Sequence, residues 1–479
     1  MKFRLLPKFF LAAATAIILL LPAAGAFAAA PGAVRVALVR QADVLDFRTG
    51  GNYSLVDQST GKIVATLGQG ENWQVYRREG RIEMQGQKGR YGPFNGPVMV
   101  REATLLNLVI LDGSGEKVER SSSGGLEVLN GDGRTASLSV NPRLRTAGST
   151  ADLAGSGSGK INLLTLKDST GSKRYRGNLE FVVESGGLAA INELTIEDYL
   201  RGVVPAEMPS SWPAEALKAQ AVAARNFALQ QVETTRGGSF HVTNNESSQV
   251  YGGYDAEAPA TNRAIEETRG VVMLSRGSLI MAVFHSSSGG FIENSEDVWL
   301  NKLPYITYKN DPYDKNDKHY KWCVTYTAEQ LAEQFRKAGY DFEIVQDIEE
   351  RARTTSGARV EKIAVKGEGP AGERMTVEIS NADNVRIALG LKSALFTLEK
   401  IFDQDKNLAA VKITGSGWGH GLGMSQWGAN GMASQGYAYQ DILKYYYSGI
   451  NLVGGYGRAA SVSQSSPGEG HSISWLQGD

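Results

Sequence analysis

The sequence predicts an α+β protein, with a β-rich N-terminal portion followed by mixed sheet and helices around a groove. Three observations carry that prediction. From about residue 31 to 190, apolar residues recur in short strand-like runs separated by turn-forming segments. Beyond Thr195, helix caps and helix-length runs mix with strand-like runs but show no regular βαβ alternation. Within that second part, four stretches rich in Gly, Trp, His, Gln and Ser make poor core material and suit a ligand groove. With 479 residues, 42% hydrophobic and 21% charged, the chain is long enough for two or three globular domains.

The elements follow in order. Lys2, Arg4 and Lys8 precede an apolar run from Phe9 to Leu21, and Ala26-Phe27-Ala28 fits a small-residue cleavage site. Residues 1–28 therefore read as an export signal, either cleaved or retained as an anchor. The run is short against the ~20 residues of a spanning helix. Without it the chain carries 47 basic and 51 acidic residues, a near-balance that argues against nucleic-acid binding. In region 31–190, "VRVALV" (Val34 to Val39) and "LLNLVIL" (Leu105 to Leu111) read as strands. Trp73/Val75 and Ile82/Met84 flank "RREGR" as a hairpin. "AGSGSGK" (Ala154 to Lys160) lacks phosphate-loop spacing and reads as a turn.

Residues 191–455 form the second part. Thr195 and Asp198 predict a short helix ending at Gly202. "VVPAEMPSSW" then connects to an alanine-rich helix with Pro213 at its first position. Glu207 thus falls in a connection stiffened by two prolines. Thr327 and Gln330 form a capping box before a helix stopped by Gly339. "NADNVRIALG" and "YQDILKYYYSG" are further helices. "VVMLS", "LIMAVFHS" and "LAAVKITG" are strand-like. "KWCVTY" reads as a strand burying Cys323, the single cysteine, which excludes an intrachain disulfide. Residues 456–479 form a Ser/Gly-rich tail.

Chemistry concentrates in "PAEMPSSWP" with the helix reaching Arg225, "NNESSQVYGGY", "FHSSSGGFIENSEDVW" and "GSGWGHGLGMSQWGANGMA". A carboxylate in an apolar turn is suited to general acid work, because burial raises its pKa. Position alone equally allows Glu207 to interact with a helix N-terminus.

These motifs resemble the stage II sporulation protein D family, also called the amidase-enhancer or LytB-type family. "EDYLRGVVPAEMPSSWPAEALKAQAVAARNFAL", "SQVYGG", "FHSSSGG", "ENSEDVW", "DPYD", "LGLKSALF" and "GWGHGLGMSQWGA" stand in that family's order between Val34 and Leu452. The resemblance implies an exported peptidoglycan lytic transglycosylase. It would cut glycan strands, peptide-stripped ones in spore formers, between N-acetylmuramic acid and N-acetylglucosamine. An amidase and membrane-anchored engulfment proteins would be its partners, with peptidoglycan glycan strands as substrate. Glu207 matches the family's catalytic acid and Arg225 its activity-linked arginine. A lytic transglycosylase needs one carboxylate, since the sugar's own C6 hydroxyl attacks C1. A hydrolase would need a second.

Other residues keep more than one reading. Arg225 either pairs with Glu207, binds sugar hydroxyls or holds a surface carboxylate. Gln249 and Tyr251 either contact sugar or form a strand-end turn. His285, Ser286 and Ser287 line the groove or serve structure, with no nucleophile elbow around them. Glu293, Glu296 and Asp297 supply a second carboxylate or form a solvated loop. Trp418, His420, Gln426 and Trp427 line the groove or pack a tight hairpin. His241, His285, His319 and His420 are dispersed, and no cysteine precedes "QVY" as in zinc-binding relatives, so neither metal nor cofactor is expected.

Overall fold

The computed structural model describes residues 33–103, 161–168, 171–184, 186–299 and 301–456, with strand segments at 106–111, 117–122, 126–129 and 135–138. The expected export signal at 1–28, the expected turn at 154–160 and most of the tail lie outside the described residues. The α+β class is observed: among the described residues two large sheets come first, and eight α-helices follow among smaller sheets.

The first strand, Ala33–Ala42, organises the N-terminal half. It pairs antiparallel with Gly187–Thr195, from Ala33↔Thr195 to Ala42↔Leu188. On its other edge it pairs in parallel with Val242–Thr243. These three strands open a seven-stranded sheet continued by Asn178–Glu184, Val98–Glu102, Tyr53–Asp57 and Lys62–Leu67. A six-stranded sheet contains the expected hairpin, Asn72–Arg78 with Arg81–Gly86, and Phe47 of this sheet meets Phe181 of the first at 5.3 Å. "LLNLVIL" is a strand from Leu106 to Leu111, paired with Lys117–Ser122.

The helices are α1 (Ile196–Glu207), α2 (Ala214–Thr234), α3 (Pro259–Glu267), α4 (Ser295–Trp299), α5 (Ala328–Lys337), α6 (Ala382–Ala388), α7 (Gln426–Ser434) and α8 (Tyr439–Tyr446). The capping box at Thr327 and Gln330 is present at the start of α5. Helix α2 is the central pillar. Ala221, Ala224 and Ala228 join the core of the two N-terminal sheets, while Ala219, Val222 and Ala223 join a second core with Met273, Met424 and Tyr447. Small side chains on every face let one helix enter both cores, and this explains its alanine content.

A third core, including Phe335, Phe342, Val365 and Ile413, fills the lobe between about 322 and 415. There "KWCVTY" is a strand, Trp322–Thr327, but Cys323 is exposed, correcting the expected burial. The strand alternates, and Cys323 falls on its outer face. "LIMAVFHS" is also not continuous: only Ser278–Leu279 and Phe284–His285 are paired. Between them the Met281 amide donates to the Tyr305 hydroxyl at 3.0 Å instead of to a neighbouring strand. The boundary read near residue 190 falls inside Gly187–Thr195, a strand paired on both edges.

Candidate active site

Glu207 is the last residue of α1, because that helix runs past Gly202 rather than ending there. A Cβ at Gly202 would meet the Tyr251 ring at 2.5 Å, so glycine serves close packing at this point. Pro205 lies in the last turn, where it contributes no N–H. The chain leaves the helix at Met208, whose amide still reaches the Val204 carbonyl at 3.0 Å. Glu207 therefore sits at the negative end of a helix. That end disfavours an anion, the reverse of the helix-entrance setting.

The carboxylate is held by groups distant in sequence. Its Oε1 accepts the Val250 N–H at 2.8 Å, and the Gln426 side chain, at the start of α7, hydrogen-bonds it as well. The side chain keeps partial solvent contact, yet protein surrounds it on most sides. Burial raises its pKa; the two hydrogen bonds oppose that, and the negative charge of Glu246 adds to the rise. A carboxyl whose pKa is raised in this way is better suited to donate a proton than a solvated one.

Val250 belongs to the wall of an open groove of about 470 Å³, shared with Asn244, Asn245, Glu246 and Ser247. That loop is stitched internally, Thr243 N–H donating to Ser248 Oγ at 3.1 Å and Ser247 N–H to Asn245 Oδ1 at 3.0 Å. Asn244 Nδ2 ties it to the Leu38 carbonyl of the first strand at 3.1 Å. The N-terminal sheet thereby positions the groove wall. On the other side, Ser425 caps α7 by accepting the Gly428 N–H at 3.1 Å. The Trp427 amide donates to the Ser286 carbonyl at 3.0 Å, and its ring meets Trp212 edge-on at 4.9 Å. Ser286, Gln426 and Trp427 thus gather near Glu207.

Several of the residues singled out have their side chains engaged within the protein. Arg225 is 1% exposed and makes a bidentate pair with Glu197, at 3.0 and 2.7 Å. It also donates to the Val271 carbonyl at 3.2 Å. Its guanidinium is committed to joining α2, α1 and the turn after α3, not to Glu207 or a sugar. Gln249 is buried, accepting the Tyr199 hydroxyl at 3.1 Å and donating to the Ala224 carbonyl at 3.3 Å. Tyr251 is buried against Gly202 and donates to Asn192 Oδ1 at 2.8 Å. Both shape the wall from behind.

His285 is buried, with Nδ1 3.0 Å from the Leu422 carbonyl. Ser287 is buried and donates to Asp314 at 2.8 Å. No Ser–His nucleophile pair forms from them. The His420 ring packs 4.9 Å from Trp299 and bonds the Phe284 carbonyl and Leu422 amide. Burial pushes its pKa down to about 4, a neutral packing role. Trp418 alone of these aromatics is well exposed, at 44%. Glu293 is fully buried, accepting Thr354 Oγ1 at 2.8 Å and Ser356 Oγ at 2.6 Å, which corrects its place in a solvated loop. Glu296 pairs with Lys302 at 3.3 Å, and Asp297 accepts from Thr355 Oγ1 at 2.9 Å. Among the described residues no three His, Cys, Asp or Glu side chains converge to hold a metal.

Sequence reading missed the Val250 N–H, Glu246 and Trp212. The first is a backbone group with no residue-type signal. The other two lie inside motifs already singled out, where a second acid and a second Trp were legible.

The geometry, a largely desolvated carboxyl hydrogen-bonded to a residue that lines an open groove, defines the class: a site suited to general acid–base chemistry. A family model described as Stage II sporulation protein matches residues 184–274, which contain Glu207 and the groove wall. A second, for a domain of unknown function, matches 286–423. Stage II sporulation protein D of Bacillus subtilis (strain 168) is 32% identical over 280 residues, covering 55% of this chain and 76% of that protein. An uncharacterized protein of Brachyspira hyodysenteriae is 32% identical over 287 residues, covering 58% and 72%. The amidase enhancer of Bacillus subtilis (strain 168) is 33% identical over 298 residues, or 53% of this chain, but the match spans only 40% of that relative. The chain belongs to the stage II sporulation protein D family.

Proposed function

We propose that this protein is an exported peptidoglycan lytic transglycosylase. It cleaves glycan strands, peptide-stripped ones in particular, between N-acetylmuramic acid and N-acetylglucosamine. The observation that carries the reading is Glu207: a carboxyl desolvated at the C-terminal end of α1, gripped by Val250 N–H and Gln426, beside an open groove. Protonated Glu207 gives its proton to the glycosidic oxygen as the bond to C1 breaks. The muramyl C6 hydroxyl then attacks C1, and the ionised Glu207 removes that hydroxyl's proton. The product is a 1,6-anhydro sugar, water is not consumed, and Glu207 ends protonated as it began. Intramolecular attack replaces the activated water that a hydrolase requires. Export rests on the amino-terminal segment, with action in the wall or intermembrane space.

A second reading is supported by the relative named amidase enhancer. In it the groove binds glycan without cutting and promotes a separate amidase. Mass spectrometry of products from peptide-free strands separates the readings. Wild type should yield anhydro-muramyl ends. Glu207→Gln should lose about a hundredfold to ten-thousandfold in rate, the range for a positioned acid–base group. Hydrated ends would instead assign a hydrolase, with Glu246 the second carboxylate nearest in electrostatic reach. Retained binding without cleavage by wild type, on a substrate that a known transglycosylase cuts, would assign the enhancer role.

A further inference from the structure

Trp418 is a large aromatic side chain held out to solvent by an unusually constrained backbone. The Gly417 amide donates to the His319 carbonyl at 3.0 Å, and the Gly419 amide to the Lys392 carbonyl at 2.8 Å. Between them Trp418 exchanges both backbone hydrogen bonds with Ser287, at 3.0 and 2.8 Å. The flanking glycines have φ of 80° and 115°. A Cβ on Gly417 would stand 2.7 Å from the Gly289 nitrogen, and one on Gly419 2.7 Å from the His285 Cβ. Three consecutive residues are thus pinned, and the ring they carry stays 44% exposed. Fixing an exposed apolar surface in this way favours a ligand that stacks on it without ordering cost.

The ring has two companions. Lys392 Nζ lies 5.4 Å from its centroid, and the His319 ring meets it edge-on at 4.5 Å. His319 Nδ1 stands 2.7 Å from the same ammonium and accepts its proton donation. Burial and the Lys392 charge lower the His319 pKa, although Asp317 opposes this, so the imidazole stays neutral as an acceptor. Among the described residues no carboxylate forms an ion pair with Lys392, whose contacts are the His319 nitrogen and the Trp418 ring. An oriented ammonium over the ring of an indole that stays 44% exposed matches a sugar ring that carries a carboxylate.

We propose that Trp418, Lys392 and His319 form a subsite for a carboxylate-bearing saccharide, with Trp418 as the stacking platform, Lys392 as the carboxylate partner and His319 as the residue that orients it. The glycan reading above supplies only the choice of ligand. In peptidoglycan the carboxylate has two sources: the lactyl group of a peptide-free muramyl residue, or the stem peptide. Ser287, which holds Trp418, follows Ser286, whose carbonyl holds Trp427 beside Gln426. The subsite is therefore joined to the surroundings of Glu207 by one short stretch of chain, Ser286 and Ser287.

The test is calorimetric binding by the full chain carrying Glu207→Gln, so that nothing is cut. The ligands are peptide-free peptidoglycan strands, peptide-bearing strands, and a chito-oligosaccharide, which lacks the carboxylate. The acidic strands should bind more tightly than the neutral one. Lys392→Gln should erase that preference, about a fivefold loss for an exposed charge pair, while Lys392→Arg keeps it. Trp418→Ala should weaken every ligand about tenfold. Preference for peptide-free or for peptide-bearing strands identifies the lactyl or the stem carboxylate, and either supports the subsite. Equal affinity for acidic and neutral glycans, or a preference untouched by Lys392→Gln, would overturn it. Thermal melts check that each variant is folded. Loss of cleavage in the parent protein would sink the transglycosylase reading and leave this result standing.

Discussion

Glu207 answers to neighbours from three separate segments: Tyr199 on its own helix, Val250 and Glu246 on the groove loop, and Gln426 on α7. Their signs differ, and this gives a test. The acid must be protonated for the first step, so the alkaline limb of the pH–kcat/KM profile follows its pKa. Glu246 raises that pKa, so Glu246→Gln should move the limb to lower pH. The Gln426 hydrogen bond lowers it, so Gln426→Leu should move the limb to higher pH in whatever activity remains. The Glu246 effect should shrink in high salt, since that side chain is exposed. Limbs that stay in place in both variants would remove Glu207 as the titrating group. At this scale the sequence was informative about identity and silent about partners. The "EMP" stretch pointed to Glu207, but no spacing rule connects it to an amide 43 residues away. Arg225 shows the converse. Its residue type suggested a ligand contact, whereas its charge is spent on Glu197, a pairing visible only once two helices are packed.

Among the elements, α1 departs most from expectation. Gly202 reads as a helix stop and Pro205 as part of a stiff connection, yet the helix runs through both. Gly202 lets the Tyr251 ring approach, and Pro205 falls in the final turn. Gly202→Ala should therefore cost about 1–3 kcal/mol through overpacking, although alanine is the better helix former. Denaturant midpoints would check this, and a stabilised variant would contradict the packing argument. The pair between α1 and α2 is a sharper case. Arg225→Met leaves Glu197 buried beside the Gly270 amide without its cation, and should cost about 3–5 kcal/mol. Replacing both partners with apolar residues should recover much of that loss. Recovery of stability without recovery of activity would show that the pair positions Glu207 by fixing α1. The cap of α5 and the local patterns of α6 and α8 were legible. The interrupted run at 278–285 was not, because a side-chain hydroxyl replaces its ladder partner.

For the molecule as a whole, pH acts through the buried "DPYD" segment. Asp311 is fully buried, and burial followed by the nearby Asp314 charge pushes its carboxyl up to about 7 from an ordinary 3.8. The folded state binds that proton more tightly than the unfolded one. Its contribution is therefore complete below pH 3.8 and is lost as pH rises through about 7. The melting temperature should fall by a few degrees between about pH 5 and 8, and Asp311→Asn should flatten the fall. An unchanged slope would place the pH dependence elsewhere. The sequence made the β-rich first part and the mixed second part legible as classes, but not their fusion. Ala33–Ala42 reads as an ordinary strand, and nothing local names its partners. Those partners impose an order on biosynthesis. Arg35 bonds His241 across 206 residues of chain. At roughly 5–20 residues per second, the ribosome needs about 10–40 s to deliver the second after the first. Throughout that interval a strand whose native pattern buries five residues in a row is a sticky, unmatched edge on the nascent chain.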